Sequence, residues 1–542
     1  MSSMSKDPAT LGSKFSRRTA LTLVASGLGT IALAACAPAA PAAPAASVST
    51  PNAPAAGGQP ATTPAAASST PKTGGTLRYG FTDDVNRLDP HFRLVDAYYT
   101  VYDRLTEFDQ NHTPQPMLAE SWEVSPDYTS IKFNLRQGVQ FHNGAELDSN
   151  AVKFNSERAR DLPNTQLDEA KWWTSIETPD KYTVIFNSDK PRPTAFDFFE
   201  FLNIAEPTAA NDPTKAVGTG PFKFVEWRQH EALVLAKNPN YWQSGKPYLD
   251  GINMSVISDP QAMTTQFEAG ALDVAVPPVT DFIRLRDDPK YTPVTYSAGN
   301  FWCMGINCQQ PPFDNKQARQ ALQFAVDRTR WTDTVNKGLE VPSALPWAKS
   351  SPAYDETKGN AYGFDLNKAK SMLQAAGVTG ALTGDVIMQN SSAELTSFAQ
   401  ILQSDFATLG ITLTLKPQDL ASYLNLVNNW TYNGFWLGGG SFANLDPATG
   451  FVKSRALSVT GNSSAFTAPA NAAAVDLVGR ATSEPDATKR TQLYSDLNDM
   501  LLQEAYIITM SPTTNRFLTT TSVQGLSSTL HSAQRWWNVW LA

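Results

Sequence analysis

The stretch from residue 37 to residue 73 constrains this chain more than any other, because it cannot fold. It is almost entirely Ala, Pro, Ser, Thr and Gly, with too few large apolar side chains to offset the entropy of ordering a backbone. Such a tract acts as a tether. A folded body is therefore expected to begin near Gly74 and run to Ala542. That length exceeds what one hydrophobic core usually serves, so two or three lobes are expected. With 42% hydrophobic and 17% charged residues the chain reads as globular. The formal net charge is -8. No Lys/Arg cluster offers the basic face that a nucleic-acid binder uses, so no nucleic-acid partner is expected.

The segment before the tether reads as an export signal. Lys14, Arg17 and Arg18 precede an apolar run from Ala20 to Ala35, which is glycine-broken and short of the roughly 20 residues a membrane span needs. Ser16-Arg17-Arg18 matches part of the twin-arginine pattern, which favours the Tat route and leaves Sec open. The run ends Leu33-Ala34-Ala35-Cys36, which resembles a bacterial lipobox. Cys36 is then the lipidation site, and two or more acyl chains give stable anchoring to a membrane. The expected location is extracytoplasmic and lipid-anchored. The other two cysteines, Cys303 and Cys308, sit in a stretch from Phe301 to Gln309 that reads as a strand. Five extended residues span roughly 16 Å, while a bridge needs Cα atoms within about 7 Å. Both thiols are expected to be free.

The body alternates strand and helix patterns. Gly75–Phe81, Tyr128–Leu135, Tyr182–Phe186 and Ile411–Leu415 read as strands. Helices are expected at Ser149–Arg160, with Asp148 or Ser149 as N-cap, and at Ala318–Val335, Leu366–Ala376, Leu395–Leu409 and Ala487–Glu504. Gly377 and Gly410 stand where C-cap glycines belong. The fold class is α/β.

Four groups of motifs occur in order. Leu118-Ala-Glu-Ser-Trp-Glu-Val-Ser-Pro126 leads through Phe133–Gly144 to Ala151-Val-Lys-Phe154. Val217-Gly-Thr-Gly-Pro-Phe-Lys223 is followed by Asn238-Pro-Asn-Tyr-Trp242 and Lys246-Pro-Tyr-Leu-Asp250. Asn307, Pro312–Asn315, Arg319–Leu322 and Ala325–Arg328 come next, then Asp446-Pro447. Together they resemble the extracellular solute-binding proteins of family 5, the oligopeptide, dipeptide and nickel-binding group, over essentially residues 74–542. The resemblance implies a periplasmic-binding-protein-like fold in which two main lobes close by a hinge, with a third inserted. Lobe I would comprise 74–102, 217–298 and 516–542, lobe II 103–216, and lobe III 299–515. It also implies the substrate-binding subunit of an ABC importer, a monomer without cofactor, which delivers a small solute or peptide to a permease and ATPase complex.

The site is less legible. Trp122, Phe133 and the Asn143-Gly144 turn read as structural. Gly218-Thr219-Gly220 lacks the Gly-Lys-Ser/Thr ending of a phosphate loop and reads as a crossing into a strand. The five histidines form no HExxH-like pair, so no metal site is expected. No Gly-x-Ser-x-Gly elbow occurs, and nothing pairs a nucleophile with a base. A hydrolase is the alternative this disfavours; a sensor or chaperone on the same fold is the other. In peptide-binding members an aspartate follows the tryptophan of the segment corresponding to Asn433–Pro447 and holds the peptide ammonium. Here Gly439 or Ala443 stands in its place, so a solute without a free ammonium, such as an oligosaccharide, is expected. Trp173, Trp302 and Trp436 offer flat faces for it. Gly438 and Gly439 allow close backbone approach, and Asn444 and Arg93 complete the candidate ligand-binding set.

Overall fold

A computed structural model of the chain describes residues 70–81, 88–91, 97–162, 167–212, 214–530 and 533–542. Cys36, Arg93, His531 and nearly all of the tether lie outside the described residues.

The backbone of the fold is one ten-stranded sheet. Its order is Ile411–Gln418, Leu382–Gln389, Gly434–Gly440, Tyr291–Ile306, Ile507–Thr520, Val274–Ala275, Thr76–Phe81, Gly251–Val256, Ala232–Lys237 and Phe222–Arg228. The opening strand alternates Leu77 and Tyr79 inward with Thr76 and Arg78 outward, the pattern of a half-buried strand. It pairs in parallel with Gly251–Val256.

Two long antiparallel strands, Tyr291–Ile306 and Ile507–Thr520, carry the chain between the halves of this sheet. Their register breaks between Ser297 and Phe301 and again between Trp302 and Cys303. Gly299, at φ +65°, occupies the break, a left-handed conformation that glycine adopts without strain. Beyond it the side chains of Phe301 and Cys303 enter one core, while Met304 and Ile306 enter another on the opposite face. Both Cys303 and Cys308 are free thiols; the strand stops at Ile306, two residues short of Cys308.

A separate four-stranded antiparallel sheet runs Ala119–Val124, Ser130–Leu135, Thr183–Ser188, Trp173–Asp180. Phe133, Phe186, Phe198 and Phe199 are fully buried on it. Trp122 packs on Phe196 at 5.3 Å and Phe133 at 6.4 Å. The Asn143-Gly144 turn forms with Gly144 at φ +89°.

The helix Ser149–Asp161 starts on Asp148, whose carboxylate accepts the Ala151 N–H. The apolar spacing across Ala318–Val335 does not make one helix. It breaks after Leu322, and Asp327 caps a new start by accepting the Arg330 N–H. A side-chain acceptor that satisfies an orphan N–H favours such a restart over continuation.

Candidate functional site

The register break leaves room beside the crossing strands. Ser343 N–H donates to Met510 O at 3.0 Å, laying residues 339–343 alongside Ile507–Thr520. Ala344 N–H donates to Gly359 O at 2.8 Å, folding the following loop back. The result is a cavity of about 280 Å³ whose walls include Ser297, Glu340, Trp347, Tyr354, Asp355 and Thr513.

Its polar groups are unequal. Asp355 caps the short helix behind it by accepting the Lys358 N–H at 2.9 Å. Trp347 spends its indole N–H on Asn498 at 2.7 Å. Glu340 is 6% exposed, and its Oε2 accepts the Ser511 hydroxyl at 2.5 Å. Among the described residues, its Oε1 and the Thr513 hydroxyl meet no partner at hydrogen-bonding geometry. Burial pushes the Glu340 carboxyl up, against the pull of Ser511, Arg516, the Thr514 N–H and Trp302. Neither Glu340 nor Trp347 belongs to a motif. The signal that could have marked Glu340 is a lone acid in the apolar run Leu339-Glu340-Val341-Pro342.

The residues proposed from sequence are scattered by the fold. Asn444 sits at the crossing: its Oδ1 accepts from Ser297 Oγ at 3.4 Å, and its Nδ2 donates to Leu530 O at 2.5 Å. Trp302 lies on the crossing strand, edge-on to Trp331 at 5.7 Å. Gly439 pairs with Trp302 and is exposed. Gly438 instead makes room for Tyr423, whose hydroxyl would stand 2.4 Å from a Cβ there.

The two other tryptophans lie in cores. Trp436 is 2% exposed, lies over Gly305 and donates to Ser464 Oγ at 3.2 Å. Its place as a cleft wall is corrected accordingly, because strand pairing turns its ring onto Gly305 and under residue 464. Trp173 is 3% exposed and stacks on Phe199 at 5.5 Å, within the aromatic core of the four-stranded sheet.

Around the crossing, residues 442–454 press against the four-stranded sheet and its helix Phe196–Phe201. Lys453 pairs with Glu169 at 2.8 Å, both side chains almost wholly buried. Phe442 meets Phe201 edge-on at 5.7 Å. The Asp446 N–H donates to Asp197 at 3.2 Å, while the Asp446 carboxylate caps the helix Pro447–Lys453. Burial, then the charge of Asp446, pushes the Asp197 carboxyl well above its usual range.

The Val217–Lys223 motif has a structural role. A Cβ on Gly218 would stand 2.1 Å from the Val101 carbonyl oxygen, so the two backbones meet only because glycine is there. Thr219 and Trp242 donate to buried Asp103 at 2.9 and 2.8 Å. Among the described residues no group of three His, Cys, Asp or Glu could hold a metal ion, and no helix is long and apolar enough to cross a membrane.

The sequence profile of the bacterial extracellular solute-binding proteins, family 5 (middle region), matches residues 113–458. The chain is 29% identical to heme-binding protein A of Haemophilus influenzae over 361 residues, 60% of this chain and 65% of that protein. It is 26% identical to di/tripeptide-binding protein 1 of Pseudomonas aeruginosa over 456 residues, 77% of this chain and 84% of the relative. The fold superposes on the ABC transporter-associated periplasmic binding protein DppA of Helicobacter pylori, solved with the peptide STSA. That match has a TM-score of 0.77 at 24% identity, covering 87% of this chain and 98% of that one.

Proposed function

We propose, from the premise that this chain belongs to the bacterial extracellular solute-binding proteins of family 5, that it captures a small solute or peptide at the crossing strands for an ABC importer. The observation that supports this reading most is the cavity of about 280 Å³ beside the break in strand register. Two rigid halves joined by a pair of strands can close over a ligand by small backbone changes at the break, as hinged binding proteins do. On this reading the lobe boundaries fall at 298/299 and 515/516, and residues 103–216 form the inserted lobe. Asn444, which bonds both Ser297 and Leu530 beside Gly299, reports closure. The relatives are named for binding heme and di- or tripeptides, so the solute belongs to a class broad enough to include peptides. The protein acts by binding and not by catalysis, as a monomer handing its load to a permease and ATPase.

Cys36 anchors the protein outside the cytoplasmic membrane after export by Tat or Sec, and residues 37–73 let the body reach the permease. Two measurements test the proposal. In cells, Cys36→Ala should move the protein from the membrane to the soluble fraction; unchanged membrane association removes the anchor. In vitro, a solute that binds only the folded protein stabilises it by about 2.7 kcal/mol at a hundredfold excess over Kd, and so raises its melting temperature. Failure of peptides, heme, amines and oligosaccharides alike to raise it removes the capture role.

A further inference from the structure

We infer, on the reading that this cavity receives the solute, that it takes a cationic nitrogen of that solute on Glu340, with Thr513 as the second contact. Glu340 is oriented before anything binds. The Trp331 N–H donates to Ser511 Oγ at 2.9 Å, which commits the Ser511 hydroxyl proton to Glu340 Oε2 at 2.5 Å. The carboxylate is thus fixed through one oxygen, while the other meets no donor at hydrogen-bonding geometry among the described residues and feels only the weaker pull of the Thr514 N–H, Trp302 and Arg516. An acceptor buried this deeply is costly when unpaired, and a charged one more so. The Thr513 hydroxyl, from the same cavity lining, is buried and also without a hydrogen-bond partner among the described residues. Two unmet polar atoms among the residues of one cavity call for a donor, and a charged N–H donor meets a carboxylate most strongly.

The rest of the wall agrees in sign and shape. The lining residues Glu340, Asp355 and Glu356 outnumber the one lining ammonium, that of Lys349, and stay in excess by one when the charge of Arg516 acting on Glu340 is counted. Trp347 and Tyr354 contribute aromatic rings, and rings stabilise a neighbouring cation. The expectation of a solute without an ammonium came from residues 436–446 alone. The carboxylate at the cavity comes from a segment about a hundred residues earlier in the chain.

The test is a thermal-shift panel followed by calorimetry on the purified protein. The panel pairs amines with their N-acetyl derivatives (trialanine, spermidine, glucosamine) and adds maltotriose and heme. The expected result is that an amine binds, that its acetylated partner binds at least tenfold more weakly, and that Glu340→Gln abolishes this preference. Thr513→Val should weaken the amine severalfold, which keeps the inference testable if Glu340→Gln does not fold. Binding of maltotriose, heme or an acetylated compound that Glu340→Gln leaves unchanged would overturn the inference and leave solute capture standing. An amine preference that survives both substitutions also overturns it. If no member of the panel binds the wild type, the capture reading fails and the inference goes with it.

Discussion

The helix Phe196–Phe201 borders two regions held together by opposite means. Phe196, Phe198 and Phe199 turn into the four-stranded sheet, where Phe199 lies 4.6 Å from Phe133, 4.8 Å from Phe186 and 5.5 Å from Trp173. Asp197 and Glu200, from the same helix, are as deeply buried, but face the seam with residues 442–454 and the Arg104–Glu107 pair. The aromatic side is held by area and ring geometry, with one polar atom, Trp173 Nε1, left without a hydrogen-bond partner among the described residues. The seam must pair the charges and polar groups it buries, and does so incompletely: among the described residues Glu169 Oε1 and Ser454 Oγ have no hydrogen-bond partner. An apolar core tolerates closeness without precise partners, whereas a buried polar seam holds only in the geometry that pairs its charges.

Substitutions can break this comparison. Phe199→Ala should cost about 3–5 kcal/mol of stability, the usual range for a fully buried ring, measured by urea unfolding. Trp436→Ala, also in a core, should cost a similar amount while leaving solute affinity of the folded fraction intact. Next in size is the seam. Lys453→Met strands Glu169 as an uncompensated buried charge and should cost about 3 kcal/mol, most of it recovered by adding Glu169→Gln. If the double variant stays as unstable as the single, the seam is held by packing and the contrast collapses.

A subtler outcome concerns pH. Burial, with help from Glu107 and against Arg104, pushes the Glu200 carboxyl up to about 8, whereas an unfolded glutamate titrates near 4.3. The folded state then holds its proton more tightly. Stability from this group is therefore fully present below about pH 4 and declines as pH rises toward 8. Glu200→Gln should flatten the melting temperature across that window, and an unchanged slope assigns it to other groups. The smallest effect belongs to Asn444→Ala, about 1 kcal/mol for its lost hydrogen bonds, detectable as a small drop in melting temperature.

The sequence by itself determined the α/β class, the long helices from Ser149, Leu366, Ala393 and Ala487, and the family, because these rest on local periodicity and on motifs whose residues lie close together. Asp148 caps the helix from Ser149, and the helix Ala487–Glu504 runs as its spacing requires. The break inside Ala318–Val335, which apolar spacing alone did not reveal, is also local, because Asp327 caps the new start. The site was a different matter. Periodicity says that Trp173 and Trp436 are apolar neighbours of something, but not whether that something is a solute or Phe199 and Gly305. Glu340 shows the limit from the other side. Its partner Ser511 lies 171 positions away, and only the pairing of two strands at a broken register brings that hydroxyl, Thr513 and the loop of residues 339–360 around one cavity. Local sequence fixes which face of an element is apolar; which faces then meet is decided by the assembled sheet, whose long-range contacts leave no local pattern.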